Sequence, residues 1–366
     1  MKVALLRDEQ ASSLDSLGEE VISLLRAQGH EILDDPVPGL RLVFNLTTVE
    51  RARVNYIRPD PSVFVASLLD SASGDGFANL EELKKTTYAV LIKTMSNVVV
   101  HRIRSGKFGG GAYFMTPELG FRRRDDDAAL ARSIVDYVLP LSSARVVVDN
   151  QLDEDLPREL WEGDKKVAEL SEAGARMGRM NLLPSPFDIK SILSERDLRL
   201  AMKLFGLKQL SYGNLSVRRD AGTFWMTGRG VDKSHLKVVG KDVFLVKGYD
   251  PRTSRILLSV PPGTDPTSRV SVDAIEHFKI YSTIPAVGAI VHVHAWMEGV
   301  EATLQSWPCG TEQLADEVLG LVMGEKDPGR AVVGLKNHGI TITGPSLEEI
   351  FSRVEGRLTQ DIPPLE

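Results

Sequence analysis

Two apolar runs interrupted by histidine constrain this chain more than any other feature. The chain has seven histidines, and four of them, His277, His292, His294 and His338, fall between positions 277 and 338. Ala289-Ile-Val-His-Val-His-Ala295 reads as a buried β-strand, and residues two apart on a strand point to the same face, so His292 and His294 project together. Gly334-Leu-Lys-Asn-His-Gly-Ile-Thr-Ile-Thr343 is a second apolar strand, broken by a glycine directly after His338. A lone histidine in such a strand is ordinarily a hydrogen-bonded core residue. Two on one face, a third in a neighbouring strand and the upstream carboxylate of Asp273 instead make an N/O set open enough for metal chemistry.

Composition sets the outer limits. A chain of 366 residues is expected to form two or three domains, and 42% hydrophobic residues supply ordinary packed cores. Net charge is −6, and the one basic run, Arg122-Arg-Arg124, is neutralised by Asp125-Asp-Asp127, which argues against a nucleic-acid partner. The single cysteine, Cys309, excludes an intrachain disulfide and suits a reducing compartment. No run approaches the apolar length of a membrane span, and the N-terminus lacks a signal-peptide core; a soluble, cytoplasmic protein with no membrane partner is expected.

Residues 1–150 alternate between strand-like and helical segments. Strands are expected at 2–6, 31–33, 41–45, 63–69, 98–103 and 145–148, with helices over 14–28, 80–95 and 128–138. This is the pattern of an α/β domain, whose role the residues leave open. No Gly-x-Gly-x-x-Gly follows the first strand, and Lys107-Phe-Gly-Gly-Gly-Ala112 lacks the ending of a phosphate loop, so it reads as a hairpin loop. Residues 151–186 read as a helical connector, with a helix over 169–178. A second amphipathic helix is expected over 191–205, within a domain spanning 187–366.

Beyond Gly206 the chain resembles the class II aldolase/adducin family, over motifs that span roughly a third of its length. Ser211-Tyr-Gly-Asn-Leu-Ser-Val-Arg218 is similar to the family's Gly-Asn-x-Ser-x-Arg turn, and Met226-Thr-Gly-Arg-Gly-Val-Asp-Lys233 to its Thr/Ser-Gly loop. Ser271-Val-Asp-Ala-Ile-Glu-His277 resembles its Ser-x-acid-x-x-x-His helix, Ala289–Ala295 its His-x-His strand, and Asn337-His-Gly-Ile340 its His-Gly strand. The resemblance implies an α/β/α domain with a central, mainly antiparallel sheet, here preceded by a separate α/β domain.

The resemblance also implies chemistry. His292, His294 and His338 would hold one divalent metal per chain, zinc first, with manganese, iron or cobalt as alternatives. The ion would stabilise an enediolate of a small polyhydroxy carbonyl substrate, phosphorylated or not. The reaction would be aldolase cleavage, or epimerisation or dehydration by related steps. Asp273 would be the catalytic base or a fourth ligand, and Glu298 is a further acid/base candidate. His277 reads as a structural hydrogen-bonding residue. Ser211, Gly213, Asn214, Thr227, Gly228 and Ser271 resemble the family's phosphate-binding positions, with Arg229 beside them. The tyrosine that the aldolases carry before their Gly-Thr is absent from Ser306-Trp-Pro-Cys-Gly-Thr311, and the tail after 357 is short. A homo-oligomer is expected, the family's usual form being a tetramer. The alternative is a non-catalytic adducin-like or ligand-sensing module, against which the retention of all three histidines argues.

Overall fold

In this computed structural model, residues 1–52, 62–117, 121–125, 128–184, 187–199 and 211–363 are described. The chain forms two compact units. The first comprises Met1–Ser143 with Pro186–Phe205 and Pro364–Glu366, and the second Ala144–Ser185 with Gly206–Pro363.

In the first unit the order is β1 (Lys2–Arg7), α1 (Asp15–Ala27), β2 (Glu31–Leu33), β3 (Leu40–Leu46), β4 (Phe64–Ser71), α2 (Leu80–Thr94), β5 (Val98–Ile103), β6 (Gly111–Met115), β7 (Phe121–Arg124) and α3 (Leu130–Ser142). The strands lie in the order β2-β1-β3-β4-β5-β6-β7, parallel from β2 to β5 and antiparallel from there to β7. Central strands such as β3 and β4 are apolar along most of their length because both faces are covered, as a parallel sheet requires. α1 buries Leu17, Val21, Ile22 and Leu25, a stripe at helical spacing, and Gly29 at φ +81° follows it. The glycine-rich run after Lys107 connects the antiparallel pair β5 and β6, as a hairpin loop should.

The second unit begins with β8 (Asp149–Asp153) and α4 (Lys165–Arg179) and continues with β9 (Asn214–Arg218), β10 (Phe224–Thr227), β11 (Val243–Asp250), β12 (Arg255–Ser259), α5 (Ala274–Thr283), β13 (Ala289–Val293), α6 (Glu312–Gly324), β14 (Val332–Leu335), β15 (Gly339–Gly344) and α7 (Leu347–Val354). Its sheet runs β14-β15-β13-β9-β10-β11-β12-β8, antiparallel at every ladder except the parallel β12–β8 edge. Phe244, Ile275, Ile290, Leu314 and Val318 share the core between the sheet and its helices.

Two expectations change here. Residues 145–148 are not a sheet strand: Val146 makes a single antiparallel bridge to Thr311, and Val147 N–H donates to Gly310 O at 2.6 Å. Residues 151–186 are no mere connector, because β8 pairs with β12 and α4 packs on the second unit. Asp164 caps α4 by accepting from the N–H groups of Lys166 and Val167, and an ideal Cβ on Gly174 would lie 1.9 Å from Lys233 O, so only glycine allows that approach. The helix expected over 191–205 is seen at Ile189–Ile192 and over 195–199; the rest lies outside the described residues. No helix among the described residues is long and apolar enough to cross a membrane.

Candidate active site and metal centre

β13 carries His292 and delivers His294 just past its end, while His338 sits in the turn between β14 and β15. Asn337 adopts a left-handed φ of 57°, and a Cβ on Gly339 would lie 2.3 Å from Val293 O, so the glycine after His338 is needed for β15 to close against β13. The three imidazoles converge. Their centroids are 4.7–5.2 Å apart, and one ligating atom from each lies within 4.8 Å of the others.

The nitrogen atoms are arranged for a shared cation. His292 Nδ1 lies 3.1 Å from Ile340 O and donates to it, which turns the Nε2 lone pair away from the backbone. His292 Nε2 and His294 Nδ1 are buried with no partner, and Nε2 of His294 and of His338 face each other at 3.2 Å. Burial holds all three imidazoles below the usual histidine pKa, with the Asp273 charge opposing the shift at His292. Neutral imidazoles are the ligating form, so the donor set fits a divalent metal.

Polar groups left without partners mark the rest of the site. Among the described residues, every buried side-chain oxygen or nitrogen lacking a hydrogen bond, Thr223 Oγ1 excepted, belongs to Ser211, Asn214, Asp273, Glu276, His277, His292 or His294. Such atoms are costly in a core and mark where a ligand or water would bind. Asp273 stands at the N-cap of α5 yet does not cap it; instead Oδ2 accepts from Asn214 Nδ2 at 2.6 Å and Oδ1 is left without a partner. His277 hydrogen-bonds Ser216 Oγ through Nδ1 at 2.7 Å, and Ser216 in turn contacts Tyr281 OH at 2.8 Å.

Sequence reasoning passed over three residues. Lys233 is 2% exposed, and among the described residues its Nζ meets one acceptor, Ser211 O at 2.7 Å. Burial pulls its pKa down to about 8 against the attraction of Asp273. Glu276 is buried one turn beyond Asp273, accepts from Thr341 Oγ1 at 2.6 Å, and is held well above the usual carboxylate range by burial and then by the Asp273 charge. Tyr212 sets its ring edge-on to His294 at 4.9 Å. A charged residue among the apolar positions of the helix was the available signal for Glu276; Lys233, flanked by Asp232 and Ser234, gave none.

Other expected site residues are placed differently. Thr227 is buried and its Oγ1 accepts from Leu215 N–H, which leaves its O–H to donate, while Gly228 N–H donates to Asp242 O. Ser271 N–H donates to Thr227 O, which ties the start of α5 to β10. Glu298 is exposed on the turn after β13, and no hydrogen bond among the described residues links it to the histidines. Ser211, Gly213 and Asn214 do line the site, Gly213 at φ +68° with a Cβ position only 2.6 Å from His292 O.

Residues 197–356 match the sequence model of the family described as Class II Aldolase and Adducin N-terminal domain. Among solved structures, an L-fuculose 1-phosphate aldolase is similar at 19% identity, over 53% of this chain and 81% of that one, with a TM-score of 0.36. The L-fuculose-1-phosphate aldolase of Thermus thermophilus matches at 19% identity over 52% and 87%, with a TM-score of 0.33. An aldolase II superfamily protein from Pseudomonas syringae matches at 13% identity over 54% and 72%, with a TM-score of 0.32. No curated protein is similar in sequence. Over residues 197–356 this chain carries a domain of the class II aldolase/adducin family, preceded by a separate α/β region.

Proposed function

We propose that the second unit is a metal-dependent lyase of the class II aldolase type, acting on a small polyhydroxy carbonyl compound. The observation that carries this reading is the convergence of His292, His294 and His338, with nitrogens lacking partners, beside the unpaired Oδ1 of Asp273. When bound, a divalent ion supplies Lewis-acid polarisation of neighbouring carbonyl and hydroxyl oxygens, which lowers the cost of negative charge next to the carbonyl.

The chain's own residues would then act as follows. Asn214 holds Asp273 by one oxygen and leaves the other to take a proton from a substrate hydroxyl or carbon. Lys233 presents a buried ammonium with donors to spare, suited to a substrate anion or a developing oxyanion. Ser211, Asn214, the Gly213 turn and the Thr227 hydroxyl would offer donors to a substrate oxygen or phosphate, while Gly228 N–H already donates to Asp242 O. Zinc, a homo-oligomeric assembly and a cytoplasmic setting belong to the same reading; a clean monomer in light scattering would contradict the assembly.

The test is to screen the metal-supplemented full chain for aldehyde release from phosphorylated and free ketoses, with Asp273→Asn alongside. Turnover should fall about 10²–10⁴-fold in the variant while its metal content is kept. Equal turnover in the variant, or in chelator-stripped protein, would overturn the assignment.

A further inference from the structure

Lys233 is pressed into the site from behind. It opens a short 3-10 turn, Lys233–His235, whose Asp232 cap accepts from Ser234 N–H at 3.0 Å. α4 packs on that turn: Gly174 has no Cβ to strike Lys233 O, and Ser171 Oγ donates to Leu236 O at 3.2 Å. The side chain therefore runs inward, where its ammonium donates to Ser211 O at 2.7 Å. An ammonium carries three donors, so a lysine 2% exposed keeps N–H groups without an acceptor among the described residues. The two carboxylates that attract it are engaged elsewhere. Asp232 holds Ser234 and His235, and Asp273 holds Asn214 by one oxygen.

That ammonium faces the histidine triad. Its charge is felt at Asp273, His292 and His294, and Ser211 Oγ, on the residue it bonds, is buried without a partner. Arg229, earlier in the same loop, adds an exposed guanidinium with no hydrogen-bond or ion-pair partner among the described residues, and it too feels the Asp273 charge. A neutral substrate would leave the buried ammonium unanswered, whereas an anionic group would give it a charge-assisted hydrogen bond. An anion that meets Lys233 also lies next to the three imidazoles, hence next to the reacting carbon. A carboxylate one bond away from that carbon fits such a position.

We propose that Lys233, with Arg229 as a second cation, recognises a carboxylate adjacent to the reacting carbon, so that the substrate is a small hydroxy or oxo acid. This rests on the lyase reading above and narrows its substrate class.

The probes are glycolate and glycolamide, which match in shape and differ in charge. They are titrated calorimetrically into the full chain near neutral pH, first metal-free and then zinc-loaded. Metal-free wild type should bind glycolate about tenfold or more tightly than glycolamide. In zinc-loaded Lys233→Met, which keeps the length of the side chain without its charge, glycolate should bind about 10–100-fold more weakly than in wild type. Its zinc content and glycolamide affinity should be unchanged. Equal binding of the two probes by metal-free wild type, a result that needs no variant, overturns the inference. So does an unchanged glycolate affinity in the variant, or a wild type that prefers inorganic phosphate to glycolate. Each of these leaves the histidine centre standing. Preference for glycolate in a chain that binds no zinc keeps the anion site and overturns the lyase reading.

Discussion

His101 in the first unit and His292 in the second are the same residue in nearly the same setting. Each lies in an apolar strand, β5 or β13, each is almost completely buried, and burial lowers the pKa of both. Their partners differ. Thr87 Oγ1 donates to Leu83 O at 2.8 Å, so it accepts from His101 Nδ1–H at 2.8 Å, and Ser71 Oγ at 2.9 Å serves His101 Nε2. Both ring nitrogens of His101 are satisfied within the protein, whereas His292 Nε2 has no partner and faces two further imidazoles. Burial is therefore common to both, and under the proposed function what sets His292 apart is a partnerless ring nitrogen that faces two further imidazoles.

The comparison breaks first at His101→Ala. That substitution leaves a cavity and strips a partner from each of two hydroxyls, and it should destabilise the first unit by about 3–5 kcal/mol in denaturant unfolding, with metal content unchanged. A wild-type midpoint in the variant would contradict the structural role. Acidification tests the same residue. His101 falls from 6.5 to about 4, so the unfolded chain binds the proton first. Its contribution is fully present above 6.5, falls as pH drops towards 4, and amounts to a loss of up to about 3 kcal/mol. Protection of the β5 amides, taken relative to their intrinsic exchange at each pH, should fall across that window; flat protection down to pH 4 would sink the assignment.

The smallest effect is expected in the other unit. In metal-free protein, His294→Leu removes a buried Nδ1 that has no partner along with the Nε2 contact to His338, two effects of opposite sign, so stability should change by about 1 kcal/mol or less, in either direction. With metal present the same substitution should abolish the stabilisation that ligand binding confers. A large loss in the metal-free state would show that His294 is a packing residue like His101.

Much of this was legible in the chain. His-x-His on an apolar strand and His-Gly on the next gave the triad, because strand periodicity alone puts the first two imidazoles on one face. The partners of that triad were less legible. Lys233 reaches the site only because Gly174 of α4 lets the Lys233 loop approach. That contact has no local periodicity to betray it. Gly228 resembled an anion-binding position, but whether an N–H is free depends on its neighbours, here Asp242, whose carbonyl accepts it.

The central claim is that His292, His294 and His338 form a metal site, and elemental analysis of the purified chain beside His292→Ala/His294→Ala tests it most directly. The account predicts about one divalent transition-metal ion per wild-type chain and none in the double variant, with circular dichroism unchanged. Wild-type protein that stays metal-free after reconstitution would contradict it, and would make the triad a histidine-rich core.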